Sequence, residues 1–280
     1  MVRVYGANLS DVTDRAARRC GVGYGWQDAA AAQRPIPIAG NDGLTVSPKP
    51  WWCHQAYGKV ILLDDFSTAF KWLQGGSEIT RASDTACTLA SDFAAKIPTG
   101  ATAGNTLSMW TYTMPLTTSL SYATIELWWM LYAAAAATPR YLSLEWTVKD
   151  RARTEAKLFG YRYLNYNSST AIMKSQYLAS TGSYTDLDTA SKTILVTTPQ
   201  WHHTILQVKR PTSASYQYDH IQTDDAVYDL DGVAGASASW DVGETIIAIA
   251  VCTDAAAITT GYIGAIIVHE GNYGYPEGPG

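Results

Sequence analysis

The chain has 280 residues, 47% hydrophobic and 16% charged, with a formal net charge of −5. That apolar content supports a sizeable core and excludes a chain disordered throughout. The acidic balance gives no basis for nucleic-acid binding by bulk charge. The most apolar stretch, 125–137, contains Glu126 and is shorter than the roughly 18 residues that a membrane-spanning helix needs.

The length allows one large all-β domain with an extension, or two ordinary domains. Tyr (18) and Trp (10) far outnumber Phe (4). Such rings suit surfaces where one edge is buried and the other meets water, a partner or a sugar, although large sandwiches are aromatic-rich in any case.

Residues 1–58 read as an arm or linker with little core of its own. A short strand fits 2–5, and 11–20 (DVTDRAARRC) fits a helix. Its Asp11 and Asp14 stand at the start and Arg18 and Arg19 at the end, the charge order that a helix dipole favours. Closely spaced Pro and Gly between 35 and 50 then favour extended or turning backbone. Residues 1–59 carry seven Lys/Arg against four Asp/Glu, a net of +3 against −8 for the remainder. A basic arm on an acidic body suits contact with an acidic partner, and ordinary variation gives the same count. Arg15, Arg18, Arg19, Trp51 and Trp52 are the candidate docking residues of this arm.

Short strands are expected from residue 60 onward. VILLDDF (60–66) is followed by 77–81, 87–89 and TLSMWTY (106–112). TIELWWML (124–131) is a strong strand. The five alanines of 133–137, with Pro139 next, fit a tight helical connection or a hairpin tip. YLSLEWTV (141–148) alternates well, and KLFGYRYL (157–164) contains a Gly that suggests a bulge. Strands follow at 173–178 and 194–198. At 201–231 a strand from Trp201, a turn at 211–215 and a second strand, YQYDHIQ (216–222), form a strand–turn–strand unit. Strands at 226–230, 245–253 and 262–268 close the series, and 272–280 is a Gly/Pro-rich tail. About a dozen strands with almost no helix predict an all-β, two-sheet antiparallel jelly-roll sandwich with an irregular N-terminal arm. No fixed-period repeat points to a solenoid or propeller.

The stretches LLDDFST, KW, GGSEIT, IELWWML, WHHTILQVKR, YQYD and GYIGAIIVHE together resemble concanavalin A-like lectin/glucanase jelly rolls, including laminin-G-like domains. The resemblance covers 59–271. It implies two curved antiparallel sheets packed face to face, with the opening and closing strands side by side in one sheet. Gly264 stands where the late strand of such domains usually carries Asp. The fold hosts lectins, hydrolases, receptors and viral proteins, so it implies no function by itself.

Hydrolases of this kind use paired carboxylates, and the E-x-D-x-E spacing that would place them on one strand face is absent. Glu126 and Glu145 stand alone in their strands, and a pair on adjacent strands is left open. Asp224, Asp225, Asp229 and Asp231 form an acidic cluster that reads as calcium loop or polar turn, the turn being favoured. His202 and His203 point to opposite faces and cannot chelate together. Cys20, Cys53, Cys87 and Cys252 lack metal or disulfide spacing and suit buried thiols. No nucleotide fingerprint or nucleophile elbow occurs. No catalytic residue, metal or cofactor is therefore expected. The N-terminus lacks a signal-peptide core, which suits synthesis in a cytoplasm.

Two readings remain. A carbohydrate-binding module would use exposed aromatics, with Trp128, Trp129, Trp146, Tyr161 and Tyr163 as candidates; Trp128 and Trp129 face opposite ways, so one is core. A structural subunit of a virion or similar particle, homo-oligomeric and in contact with other subunits, suits the low charge, the Tyr/Trp content and the arm. The particle subunit, located in the virion, is the first expectation, the lectin the second and a glycoside hydrolase the third. Neither nucleic acid nor membrane is an expected partner.

Overall fold

The computed structural model describes residues 59–66, 70–83, 93–113, 122–135, 138–149, 155–167, 172–188, 192–193, 200–211, 215–224, 226–238, 245–254 and 256–270. All belong to one compact unit, Lys59–Asn272. The arm with Arg15, Arg18, Arg19, Trp51 and Trp52, the tail, Cys20, Cys53 and Cys87, and the strands expected at 87–89 and 194–198 lie outside the described residues.

The strands in chain order are β1 (Lys59–Asp64), β2 (Leu73–Gln74), β3 (Thr80–Ala82), β4 (Ala94–Pro98), β5 (Thr106–Thr113), β6 (Tyr122–Ala133), β7 (Pro139–Lys149), β8 (Ala156–Asn167) and β9 (Ile172–Ser180). They continue as β10 (Ser183–Asp186), β11 (Lys192–Thr193), β12 (His202–Lys209), β13 (Gln217–Thr223), β14 (Ala226–Asp229), β15 (Ala236–Ser237), β16 (Thr245–Thr253) and β17 (Thr259–Glu270). No helix occurs among the described residues. The strands form two antiparallel sheets, as the alternating apolar pattern requires. The first runs β14-β13-β12-β6-β17-β4-β3, with β1 also on β17. The second runs β10-β9-β8-β7-β16-β5-β2, with β11 on β9 and β15 on β8.

β17 joins both halves of the first sheet. It pairs with β4 over its first half and with β1 over its second, Lys59 lying opposite Glu270. The opening and closing strands are thus neighbours, as the resemblance implied. The register of β17 on β6 shifts between Ile263 and Ala265. Gly264, the departure from the usual Asp, therefore sits at a bulge.

Alternation decides which residues meet between the sheets. On β6 the odd positions Ile125, Leu127, Trp129 and Leu131 enter the core; on β7 Leu142, Leu144, Trp146 and Val148 do; on β8 Phe159, Tyr161 and Tyr163 do. Trp129 is fully buried and donates its indole N–H to Thr204 Oγ1 at 2.9 Å. Truncating such a ring costs about 3–5 kcal/mol. Trp128 lies on the opposite face of β6 and stacks on His203, ring centroids 4.2 Å apart.

Tyr218 ties the two sheets together. It rises from β13 in the first sheet, and its hydroxyl accepts the Gly160 N–H at 2.9 Å. It shares its own proton between the carbonyls of Leu178 (3.0 Å) and Gly160 (3.2 Å). β8 pairs with β9 from Tyr161 onward and with β15 at Lys157 and Leu158. The hydroxyl fills the gap in the ladder between them. Gly160 is therefore not the bulge that its sequence suggested. It pairs in register with Glu145 of β7, and it marks a close approach.

Candidate functional site

The five aromatics singled out in the sequence divide sharply. Trp129, Trp146, Tyr161 and Tyr163 are buried between the sheets, where no sugar reaches them. They share strand parity with leucine, valine and phenylalanine, and apolar burial claims that whole face. Trp128 is partly buried on the outer face of the first sheet.

Glu126 and Glu145 do not pair. β6 and β7 belong to different sheets, and both carboxylates point away from the core, so they lie on opposite outer faces of the sandwich. Glu126 is fully buried, with Oε2 3.1 Å from His203 Nε2 and Oε1 3.8 Å from His269 Nε2. Around it the outer face of the first sheet carries further buried side chains. Ile205, Ile267, Met130 and Ala265 are buried there. Thr124 donates to Gln207, which donates to Asp219. Lys209 reaches Asp219 at 2.9 Å and Asp231 at 2.8 Å. Burial works against the Lys209 charge, but the two carboxylates outweigh it and hold its pKa above the usual lysine range.

The acidic cluster is spent on local structure. Asp224, at φ +56°, accepts from the His203 N–H and lies 2.8 Å from His202 Nδ1. Asp229 accepts from the Asp231 N–H in the turn that Gly232 completes at φ +87°. Asp225 lies outside the described residues. His202 points inward and stacks on Trp129 at 4.6 Å, so the two adjacent histidines face opposite ways, as alternation requires.

The outer face of the second sheet is built differently. Across its strands Leu73, Trp110, Ala248, Glu145 and Gly160 form one row. The next row is Ser108, Ala250, Ser143, Arg162, Gln176 and Asp186. Tyr112 and Ile246 extend the face to one side, Tyr141 and Cys252 to the other. Ala248, Ala250, Ser143 and Ser108 make a strip of small side chains. On one side stand Trp110 and the exposed Tyr112 and Leu73. On the other stand Tyr141, Arg162 and Tyr184. At ~4.8 Å per strand, the backbones of β5 and β8 are about 14 Å apart.

The second wall is ordered by its own bonds. The Tyr184 side chain crosses Gly160, where a Cβ would lie 3.2 Å from its hydroxyl and 3.1 Å from Leu178 Cβ. It donates to Glu145 Oε2 at 2.8 Å. Burial first, and then the Glu145 charge, raise its pKa above the usual tyrosine range, so the hydroxyl remains a donor. The Arg162 guanidinium lies 3.9 Å over the Tyr184 ring and 5.3 Å from the Tyr141 ring. Its Nε donates to Gln176, whose amide donates to Asp186 at 2.7 Å. Asp186 also takes Lys174 at 2.6 Å, and these two hydrogen bonds hold its carboxyl below the usual range. Sequence reading missed this constellation, although parity marks it: Trp110 and Tyr112 alternate with Leu107 and Met109, and Tyr141 and Glu145 with Leu142 and Leu144.

No family model matches the chain, and no curated protein matches it. Among solved structures, the conserved carbohydrate esterase of the Shiga toxin-encoding bacteriophage phi24B aligns over 77% of this chain and 100% of its own, at 13% identity and a TM-score of 0.52. The Emp46p carbohydrate recognition domain, in its potassium-bound form, covers 77% of this chain and 98% of its own at 12% identity and a TM-score of 0.46. The alginate lyase Aly36B covers 78% and 100% at 8% identity and a TM-score of 0.43. The chain has the concanavalin A-like jelly-roll fold.

Proposed function

We propose that the chain binds carbohydrate, in the manner of a lectin, on the outer face of its second sheet, and that it does so without hydrolysis. The observation that carries this reading is the strip of small side chains between Trp110 and Tyr112 on one side and Tyr141, Arg162 and Tyr184 on the other. Aromatic rings offer flat apolar area to the C–H face of a sugar, and the polar wall offers hydrogen bonds that fix orientation. The non-hydrolytic reading rests on the carboxylates. Glu145 and Asp186 stand on strands separated by β8 and β9, about 14 Å at the backbone. Asp186 is also held by Lys174 and Gln176, which leaves Glu145, among the described residues, without a free second carboxylate of the kind that two-carboxylate glycoside hydrolysis uses.

The test is binding to immobilised polysaccharides. Trp110→Ala is expected to lower affinity about ten- to thirty-fold, the loss of one buried aromatic contact. Glu126→Gln, on the opposite outer face, is expected to leave affinity unchanged. Equal loss in both variants, or none in Trp110→Ala, refutes the assignment of this face.

Assembly on a particle is a second reading, favoured by one observation. Leu63 on β1 and Val227 on the edge strand β14 are 49% and 53% exposed. Apolar side chains on sheet edges invite pairing with another chain. Light scattering tests it: a monomer at all concentrations removes self-association, and an oligomer dispersed by Val227→Lys supports it.

A further inference from the structure

The inference rests on the glycan-site reading above and names the ligand class. We infer that the strip on the second sheet takes an uncharged glycan, whose hydroxyls Glu145 accepts, and not a uronate-bearing or sulfated chain.

The charges on that face lead there. Among the described residues the outer positions of the second sheet carry Glu145, Lys149, Arg162, Lys174 and Asp186. Lys149 is 1% exposed and cannot meet a ligand. The four others balance, two acids against two bases. Lys174 is spent on Asp186 at 2.6 Å. The Arg162 guanidinium lies 3.9 Å over the Tyr184 ring and gives its Nε to Gln176. It stands on β8, one strand farther from the small side chains of β16 than Glu145 on β7. An acidic sugar needs a cation presented to it, preferably as a bidentate fork.

Glu145 stands in the row of Ala248 and Gly160, beside the small side chains. An anionic ligand on the strip would meet this carboxylate at short range, with Arg162 one strand farther off on β8. A hydroxylated ligand meets an acceptor. Tyr184 fixes one oxygen of Glu145 by donating to Oε2. A carboxylate has about four lone-pair sites, so acceptor capacity remains for sugar hydroxyls. Ser108, partly exposed on the same strip, adds a small neutral donor and acceptor. Trp110 and Tyr112, two residues apart on one strand face, lie about 6.8 Å apart along β5, and they suit stacking under successive or bridging rings.

The experiment uses the full chain on an array of neutral polymers (cellulosic, mannan and starch-type glucan) and acidic ones (alginate, polygalacturonate, chondroitin sulfate). It is read at low and high salt, about 0.05 and about 0.5 M. The expected result is binding to a neutral polymer that changes less than about two-fold with salt and falls about ten-fold in Glu145→Gln, the loss of a charge-assisted hydrogen bond. Circular dichroism and melting of Glu145→Gln separate this loss from unfolding. Preferential binding to an acidic polymer, weakened by salt and strengthened by Glu145→Gln, overturns the inference and leaves the glycan site standing. Absence of binding to every polymer overturns both.

Discussion

Replacing Tyr218 by Phe removes one oxygen atom and nothing else. The ring stays between the sheets against Phe159 and Tyr177, with centroids 4.8 and 5.6 Å away. What changes is the gap in the ladder of β8. The Gly160 N–H loses its acceptor, and the Leu178 and Gly160 carbonyls lose the proton that they share. Tyr218 is fully buried, so bulk water does not replace these bonds. A buried backbone group left unsatisfied costs about 1–3 kcal/mol. With one donor and one carbonyl abandoned, the expected loss is about 3 kcal/mol. For a domain of this size that lowers the melting temperature by about 6–12 °C. Urea unfolding followed by tryptophan fluorescence reads it directly. The midpoint should fall with the slope unchanged, because the surface exposed on unfolding is the same. A loss below about 0.5 kcal/mol would refute the argument, since it would mean that the hydroxyl is not the partner of those backbone groups.

Two further predictions concern stability. A Cβ on Gly261 would lie 2.4 Å from Val251 Cγ2, so Gly261→Ala forces the sheets apart and should cost about 1–3 kcal/mol in thermal unfolding, part of it recovered by adding Val251→Ala. Burial works against the charge of Asp219, but hydrogen bonds from His220, Lys209 and Gln207 outweigh it and hold the carboxyl below its usual range. A depressed folded-state value means that stability is present above the unfolded value, near pH 4, and is lost as pH falls from there toward the folded value. Urea midpoints from pH 6 down to pH 2 should therefore drop in the wild type and drop less steeply in Asp219→Asn; identical slopes refute the attribution.

The sandwich was legible because alternation is strict where it matters. In YLSLEWTV the leucines, Trp146 and Val148 share one parity, and the structure buries that whole set. The same fact explains where site reading failed. A tryptophan in a strong strand attracts attention as a sugar platform, yet Trp146 and Trp129 keep company with leucines and are drawn inward by the same transfer free energy. Trp110 alternates with Leu107 and Met109, and so faces out. Parity within a strand carried the answer, whereas aromatic content alone did not. Sheet membership is another matter. Nothing local tells that β6 and β7, consecutive in the chain, lie in different sheets, so Glu126 and Glu145 remained candidates for a pair until the topology placed them on opposite faces. β10 escaped notice because SYTD is short and almost entirely solvent-facing, without an apolar periodicity to reveal it.

Gly160 connects the core to the face above it. From below, its amide and carbonyl take the Tyr218 hydroxyl, which ties β13 of one sheet to β8 of the other. From above, its missing Cβ leaves the path by which Tyr184 crosses from β10 to Glu145 on β7. Any larger residue would meet Leu178, Tyr184 and the Leu144 carbonyl within 3.3 Å. A side chain there would push on the polar wall, while the backbone beneath is pinned by a bond that a shift would lengthen. The position of Glu145's hydrogen-bond donor is therefore set by inter-sheet packing and not by the surface alone. The wall holds its shape for the same reason that the sandwich does.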